Sequence, residues 1–117
     1  MDRRALGRWG EDLAVRHLQA QGLEVLDRNW RCRDGELDVV AREGRCLVFV
    51  EVKARSGTGY GEPAEAVSPR KAARIHVLAA RWLAEHRPQG RWDLRFDVVA
   101  VLRTGGMPEV LHLRGAF

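Results

Sequence analysis

Two runs of alternating apolar residues, 36–42 and 46–53, are separated only by Glu43, Gly44 and Arg45. A connection this short makes the runs an antiparallel hairpin and fixes which residues face each other. With Gly44-Arg45 as a two-residue turn, Glu43 pairs with Cys46, and the ladder then sets Val40 opposite Phe49, Asp38 opposite Glu51 and Glu36 opposite Lys53. Strand alternation gives Leu37, Val39 and Ala41 one face in common with Val48, Val50 and Val52, an apolar face that must bury. The opposite face gathers Glu36, Asp38, Glu51 and Lys53 at one end. A slip of one residue would undo this geometry.

The remaining segments arrange themselves around that hairpin. Over roughly 3–21, Leu6, Trp9, Leu13 and Ala14 recur at helical spacing, and Gly22 stands where a helix stops. Residues 23–31 (LEVLDRNWR) read as a strand with a bend or bulge at Asp27-Arg28-Asn29. Ser68-Pro69 opens a second helix whose buried stripe is Ile75, Leu78, Ala79, Trp82 and Leu83, ending near His86-Arg87-Pro88. The stretch 94–102 (LRFDVVAVL) is too continuously apolar for a surface strand and belongs inside a sheet, with VLHL adding an edge strand. The Gly-rich run 55–63 between them reads as a surface loop. The order α-β-β-β-α-β-β predicts an α/β fold in three layers, a central mixed β-sheet with a helix for either face.

At 117 residues the chain accommodates one domain, 1–117, and one core. Cys32 and Cys46 have neither a C-x-x-C nor a zinc spacing, so they read as ordinary half-buried thiols. The charged amino terminus lacks the apolar segment of a signal peptide and no transmembrane run exists, from which we expect a cytoplasmic location. A formal charge of +4 favours a polyanionic partner such as nucleic acid.

Opposed carboxylates repel, and the Asp38/Glu51 pair therefore calls for compensation. A divalent cation supplies it: Mg²⁺ or Mn²⁺ accepts two carboxylate oxygens and a backbone carbonyl, for which Val52 is the candidate. Lys53, on the same face, is placed to stabilise charge developing on a phosphoryl group or to orient the attacking water. Glu11 points from a mostly small or apolar side of the first helix, an expensive position for a carboxylate unless it is paired or metal-bound. Each signal also has a plainer reading, since E-x-K on a strand end is commonly a solvated ion pair. Arg70, Lys71 and Arg74 on the second helix are candidate phosphate contacts or simply a solvated face, and Arg55 beyond Lys53 is a better-placed one. No role follows from the spacing of His17, His76, His86 and His112.

The segments GRWGEDLAVRHLQAQGLEVLDRNWR, GELDVVAREGRCLVFVEVKARS, GEPAEAVSPRKAARI and RFDVVAV resemble, in order and spacing, the uncharacterised bacterial YraN-type family. That family is similar in fold to archaeal Holliday-junction resolvases and to the restriction-endonuclease-like, PD-(D/E)XK superfamily. The resemblance implies a restriction-endonuclease-like fold with a Mg²⁺ site of Asp38, Glu51 and Lys53, and places the helix-borne glutamate of the resolvase-like branch on Glu11. Leu37 stands where the superfamily label has proline. Together the residues and the resemblance lead us to expect metal-dependent hydrolysis of DNA phosphodiesters, with branched DNA and a homodimer implied by the resolvase likeness. The competing expectations are a non-catalytic nucleic-acid-binding module and a protein-interaction subunit.

Overall fold

A computed structural model describes residues 1–57 and 67–117. Its elements are α1 (Arg3–Ala20), β1 (Glu24–Cys32), β2 (Gly35–Glu43), β3 (Cys46–Ser56), α2 (Pro69–His86), β4 (Asp93–Arg103) and β5 (Glu109–Leu113). The order agrees with the sequence expectation, and the Gly-rich loop lies outside the described residues from position 58 to its end.

Both helices begin on side-chain caps. Asp2 accepts a hydrogen bond from the Ala5 amide at 2.8 Å, and Ser68 Oγ accepts one from the Lys71 amide at 3.1 Å, with Pro69 next in line. α1 stops at Gly22, whose φ of +93° is open to glycine; α2 stops at left-handed Arg87, ahead of Pro88.

The five strands form one sheet in the order β1-β2-β3-β4-β5, antiparallel throughout except for the parallel β3/β4 pair. Ala14, Val15 and Leu18 of α1 pack on Val39, Ala41, Val48 and Val50, with Val99 and Val101 of β4 beside them. Ile75, Leu78, Ala79 and Trp82 of α2 pack on Val40, Leu47 and Phe49 from the other side. Alternation along β2 and β3 therefore feeds two apolar layers, one per helix. Cys32 and Cys46 are free and half-buried. No helix among the described residues is long and apolar enough to cross a membrane.

The hairpin keeps its expected register from Glu43↔Cys46 through Val40↔Phe49 to Val39↔Val50, with Gly44 at φ +60° in the turn. There the ladder ends, so the expected rungs Asp38–Glu51 and Glu36–Lys53 do not form. Beyond it Glu36 pairs with Arg31 of β1 at 2.9 Å, while Lys53 runs on beside Ala100 of β4. Opposed carboxylates are a poor cross-strand pair, and the two strands part where they would meet.

Leu37 is a second departure, since it packs with Val40 and Phe49 on the α2 side and not with Val39 and Ala41. The cause lies on the neighbouring strand. Arg28 and Asn29 of β1 both reach Glu11 of α1, whereas Trp30, facing Leu37, donates its indole N–H to Glu85 of α2. Left-handed Asn29 (φ +51°) interrupts the alternation between them. The bulge foreseen at 27–29 shifts the register slightly earlier, between Val25 and Asp27.

Candidate functional site

The fork between β2 and β3 opens into a cleft of about 730 Å³, bounded by the first turns of α1 and by Lys71 of α2. Glu11, Asp38, Glu51, Val52 and Lys53 all line it, so the structure brings together the residues that the sequence singled out for metal and catalysis. Arg55 and Lys71 line it as well. Arg70 and Arg74 are exposed and do not.

Asp38 sits at the root of the fork. Its Oδ2 accepts a hydrogen bond from the Val52 amide at 2.9 Å, closing the gap that the missing rung leaves. In a strand the N–H and C=O of one residue point to the same side, so the Val52 carbonyl is also turned toward the fork. Glu51 is buried, 9% exposed, on the strand next to it. Burial first, and then the Glu51 charge, push the Asp38 carboxyl up to about 7.

Two lysines answer this negative charge. Lys71 Nζ lies 2.6 Å from Glu51 Oε1. Burial works against the Lys71 ammonium, but the Glu51 carboxylate outweighs it and the pKa rises. The Lys53 pKa falls, through burial and then the nearby Lys71 charge. A lysine held this way is a proton donor of more than ordinary readiness.

Glu11 is tied more firmly. Its Oε1 accepts from Arg28 Nε at 3.0 Å and from Asn29 Nδ2 at 2.9 Å, and Arg28 also holds Asp12 at 2.8 Å. Among the described residues no three Asp, Glu, His or Cys side chains form a ready ligand group. The oxygen donors available in the cleft are the Asp38 and Glu51 carboxylates and the Val52 carbonyl, with Glu11 set slightly apart by its arginine. All are hard oxygens, a donor set that suits Mg²⁺ or Mn²⁺ and not a thiolate-seeking metal.

The sequence reading overlooked the α1 wall of the cleft, where Arg4, Arg8 and Glu11 follow one another at helical spacing and Arg3 stands alongside. That i, i+4, i+7 series was a legible signal. Lys71, read from the sequence as a phosphate contact or part of a solvated face, instead has its ammonium on Glu51.

A second buried carboxylate lies elsewhere on the sheet. Asp97 of β4 is fully buried and accepts from Arg95 of the same strand, His112 of β5 and the Gly115 amide at 2.7–3.0 Å. Arg95 and Arg114 both donate to Glu43. Every buried side-chain polar atom among the described residues has a partner, and this cluster ties the C-terminal segment to the sheet.

Residues 10–101 match the uncharacterised protein family UPF0102. The chain is 64% identical over 114 residues to a UPF0102 protein of Frankia casuarinae, covering 97% of this chain and 96% of that one. It is 61% identical over 112 residues to a UPF0102 protein of Beutenbergia cavernae, covering 95% and 94%. A UPF0102 protein of Rhodococcus jostii is 55% identical over 116 residues, covering 97% and 96%. The chain therefore belongs to the UPF0102 family, the YraN-type family that its motifs resemble.

Proposed function

We propose that the protein is a metal-dependent nuclease with a restriction-endonuclease-like fold, hydrolysing phosphodiester bonds of DNA at the β2/β3 fork. The observation that carries this reading is the pair of carboxylates, Asp38 and Glu51, placed in one cleft with Lys53, where burial and then the Glu51 charge push the Asp38 carboxyl up to about 7. A buried carboxyl with too few partners is costly to the fold, and groups perturbed in this way cluster at functional sites.

Asp38 and Glu51 would hold Mg²⁺ or Mn²⁺ together with the Val52 carbonyl, and Glu11 would hold a ligand water or the ion itself once released from Arg28. A divalent cation bound there would make water acidic enough to attack at neutral pH and would neutralise charge on the phosphoryl oxygens. Lys53 would donate a hydrogen bond to a phosphoryl oxygen as charge develops on it. Water oxygen bonds to phosphorus as its proton passes to solvent, the phosphorus–oxygen ester bond breaks, and the leaving oxygen takes a proton from water or from a lysine ammonium that solvent then reprotonates. Arg55, which lines the cleft beyond Lys53, would contact the nucleic-acid backbone. A symmetric dimer on branched DNA is the assembly that the resolvase likeness adds to this reading.

The test is cleavage of labelled duplex, single-stranded and four-way-junction DNA with Mg²⁺ or Mn²⁺. The proposal expects metal-dependent cutting by the wild type, at least about 100-fold less in Asp38→Asn and Lys53→Ala. Equally tight DNA binding by all three proteins without cutting would replace it with a non-catalytic binding module.

A further inference from the structure

α1 carries two glycines near the cleft, and only one has a packing reason. A Cβ on Gly10 would come within 2.5 Å of the Ala54 side chain, so close contact between helix and sheet excludes any larger residue there. A Cβ on Gly7 would meet nothing within 4 Å. Gly7 nonetheless sits in the helix interior, where glycine weakens the helix relative to alanine, and it lines the cleft.

The residues around it are also poor choices for helix stability. Arg3 and Arg4 occupy the first turn, where the positive end of the helix dipole disfavours cations and the Asp2 cap is the acidic group beside them. Arg4 and Arg8 stand four apart, a repulsive like-charge spacing. Among the described residues none of Arg3, Arg4, Arg8 or Arg55 is in an ion pair, in contrast to Arg28, held by Glu11 and Asp12. Several locally unfavourable choices thus meet on one cleft-facing surface, a pattern expected where a ligand supplies what the fold lacks. The missing component is negative charge, in an extended form that can reach several guanidinium groups while pressing close to backbone.

We propose that the Gly7 face of α1, walled by Arg3, Arg4 and Arg8 and continued by Arg55, is the seat of the sugar–phosphate backbone of the nucleic acid, with Gly7 leaving room for direct approach to the helix. This rests on the nuclease reading and adds to it the surface that holds the substrate. Guanidinium groups bind phosphate oxygens through paired N–H donors, and their effect is independent of base sequence.

The experiment is fluorescence-anisotropy binding of labelled single-stranded and duplex oligonucleotides in EDTA over a range of salt concentrations, with melting curves for each variant. Gly7→Ala should raise the melting temperature by about 2–5 °C while weakening binding several-fold. Gly7→Leu should weaken binding roughly tenfold, and Arg4→Ala and Arg8→Ala should each lower the salt slope by about one. A folded Gly7→Leu protein that binds within about twofold of the wild type, or unchanged salt slopes, would overturn the proposal. If those variants bind normally while wild type still cuts DNA, only this surface is refuted; if wild type neither binds at low salt nor cuts, the nuclease reading fails with it.

Discussion

Asp38 and Asp97 are two aspartates of one sheet, the first half-buried at the root of the cleft and the second fully buried, and their carboxyls are driven in opposite directions. At Asp97 burial favours the neutral acid, yet His112, Arg95 and the Gly115 amide outweigh it and hold the pKa down to about 2. At Asp38 burial acts the same way and Glu51 adds to it, and the single Val52 amide does not compensate, so the pKa rises to about 7. The fully buried aspartate is the one held low, so the partners the fold supplies decide the direction. Where partners are complete, the carboxylate fastens β4 to β5 and the chain end. Where they are incomplete, the fold bears a cost that a bound cation would relieve.

This contrast can be broken most forcefully at Asp97. Asp97→Ala strands Arg95 and His112 and should cost about 3–5 kcal/mol in denaturant unfolding; a loss below about 1 kcal/mol would mean the cluster is ornamental. The next effect is a pH dependence. Because the folded Asp97 pKa lies below that of the unfolded chain, its stabilisation is fully present above about pH 4 and is lost as the pH falls toward 2. That window should contain about 2 kcal/mol of wild-type stability, absent from Asp97→Asn when both are melted across it.

Asp38→Asn should do the reverse and stabilise the metal-free protein by roughly 1–2 kcal/mol. The folded Asp38 pKa is raised, so the ionised carboxyl weakens the fold as pH rises from about 4 through 7; the gain from Asp38→Asn should be largest above pH 7 and vanish toward 4. Equal melting temperatures at pH 8 in EDTA would remove the asymmetry. The smallest expected effect is that of Glu43→Gln, which keeps a hydrogen-bond acceptor for half-buried Arg95 and exposed Arg114 and should cost about 0.5 kcal/mol by urea titration.

Much of the fold and the Asp38 half of this contrast were legible in the sequence, and the limits follow from range. Both helices were readable because caps and breakers act locally, Ser68-Pro69 and Gly22 being the plainest. The hairpin register was readable from its turn, which is why Asp38, Glu51 and Lys53 could be named together. The turn could not convey that the ladder stops at Val39↔Val50 or that Leu37 changes sides, because both depend on β1 and its left-handed Asn29. Lys71 lies on a different element from Glu51, and no periodicity relates them. The Asp97 cluster was invisible for the same reason, since RFDVVAV reads as an apolar strand and His112 comes fifteen residues later on another one.

The most direct test of the account is a melting titration of wild type, Asp38→Asn and Asp97→Asn with Mg²⁺ and Mn²⁺ from an EDTA-stripped state. The account predicts a saturable rise in wild-type melting temperature, by about 2.7 kcal/mol of stabilisation at 100 times the dissociation constant. That rise should be abolished in Asp38→Asn and kept in Asp97→Asn, despite the latter's lower starting stability. A wild type indifferent to both cations, or an Asp38→Asn protein stabilised as much as the wild type, would contradict the claim that the fork between β2 and β3 is built to take a cation.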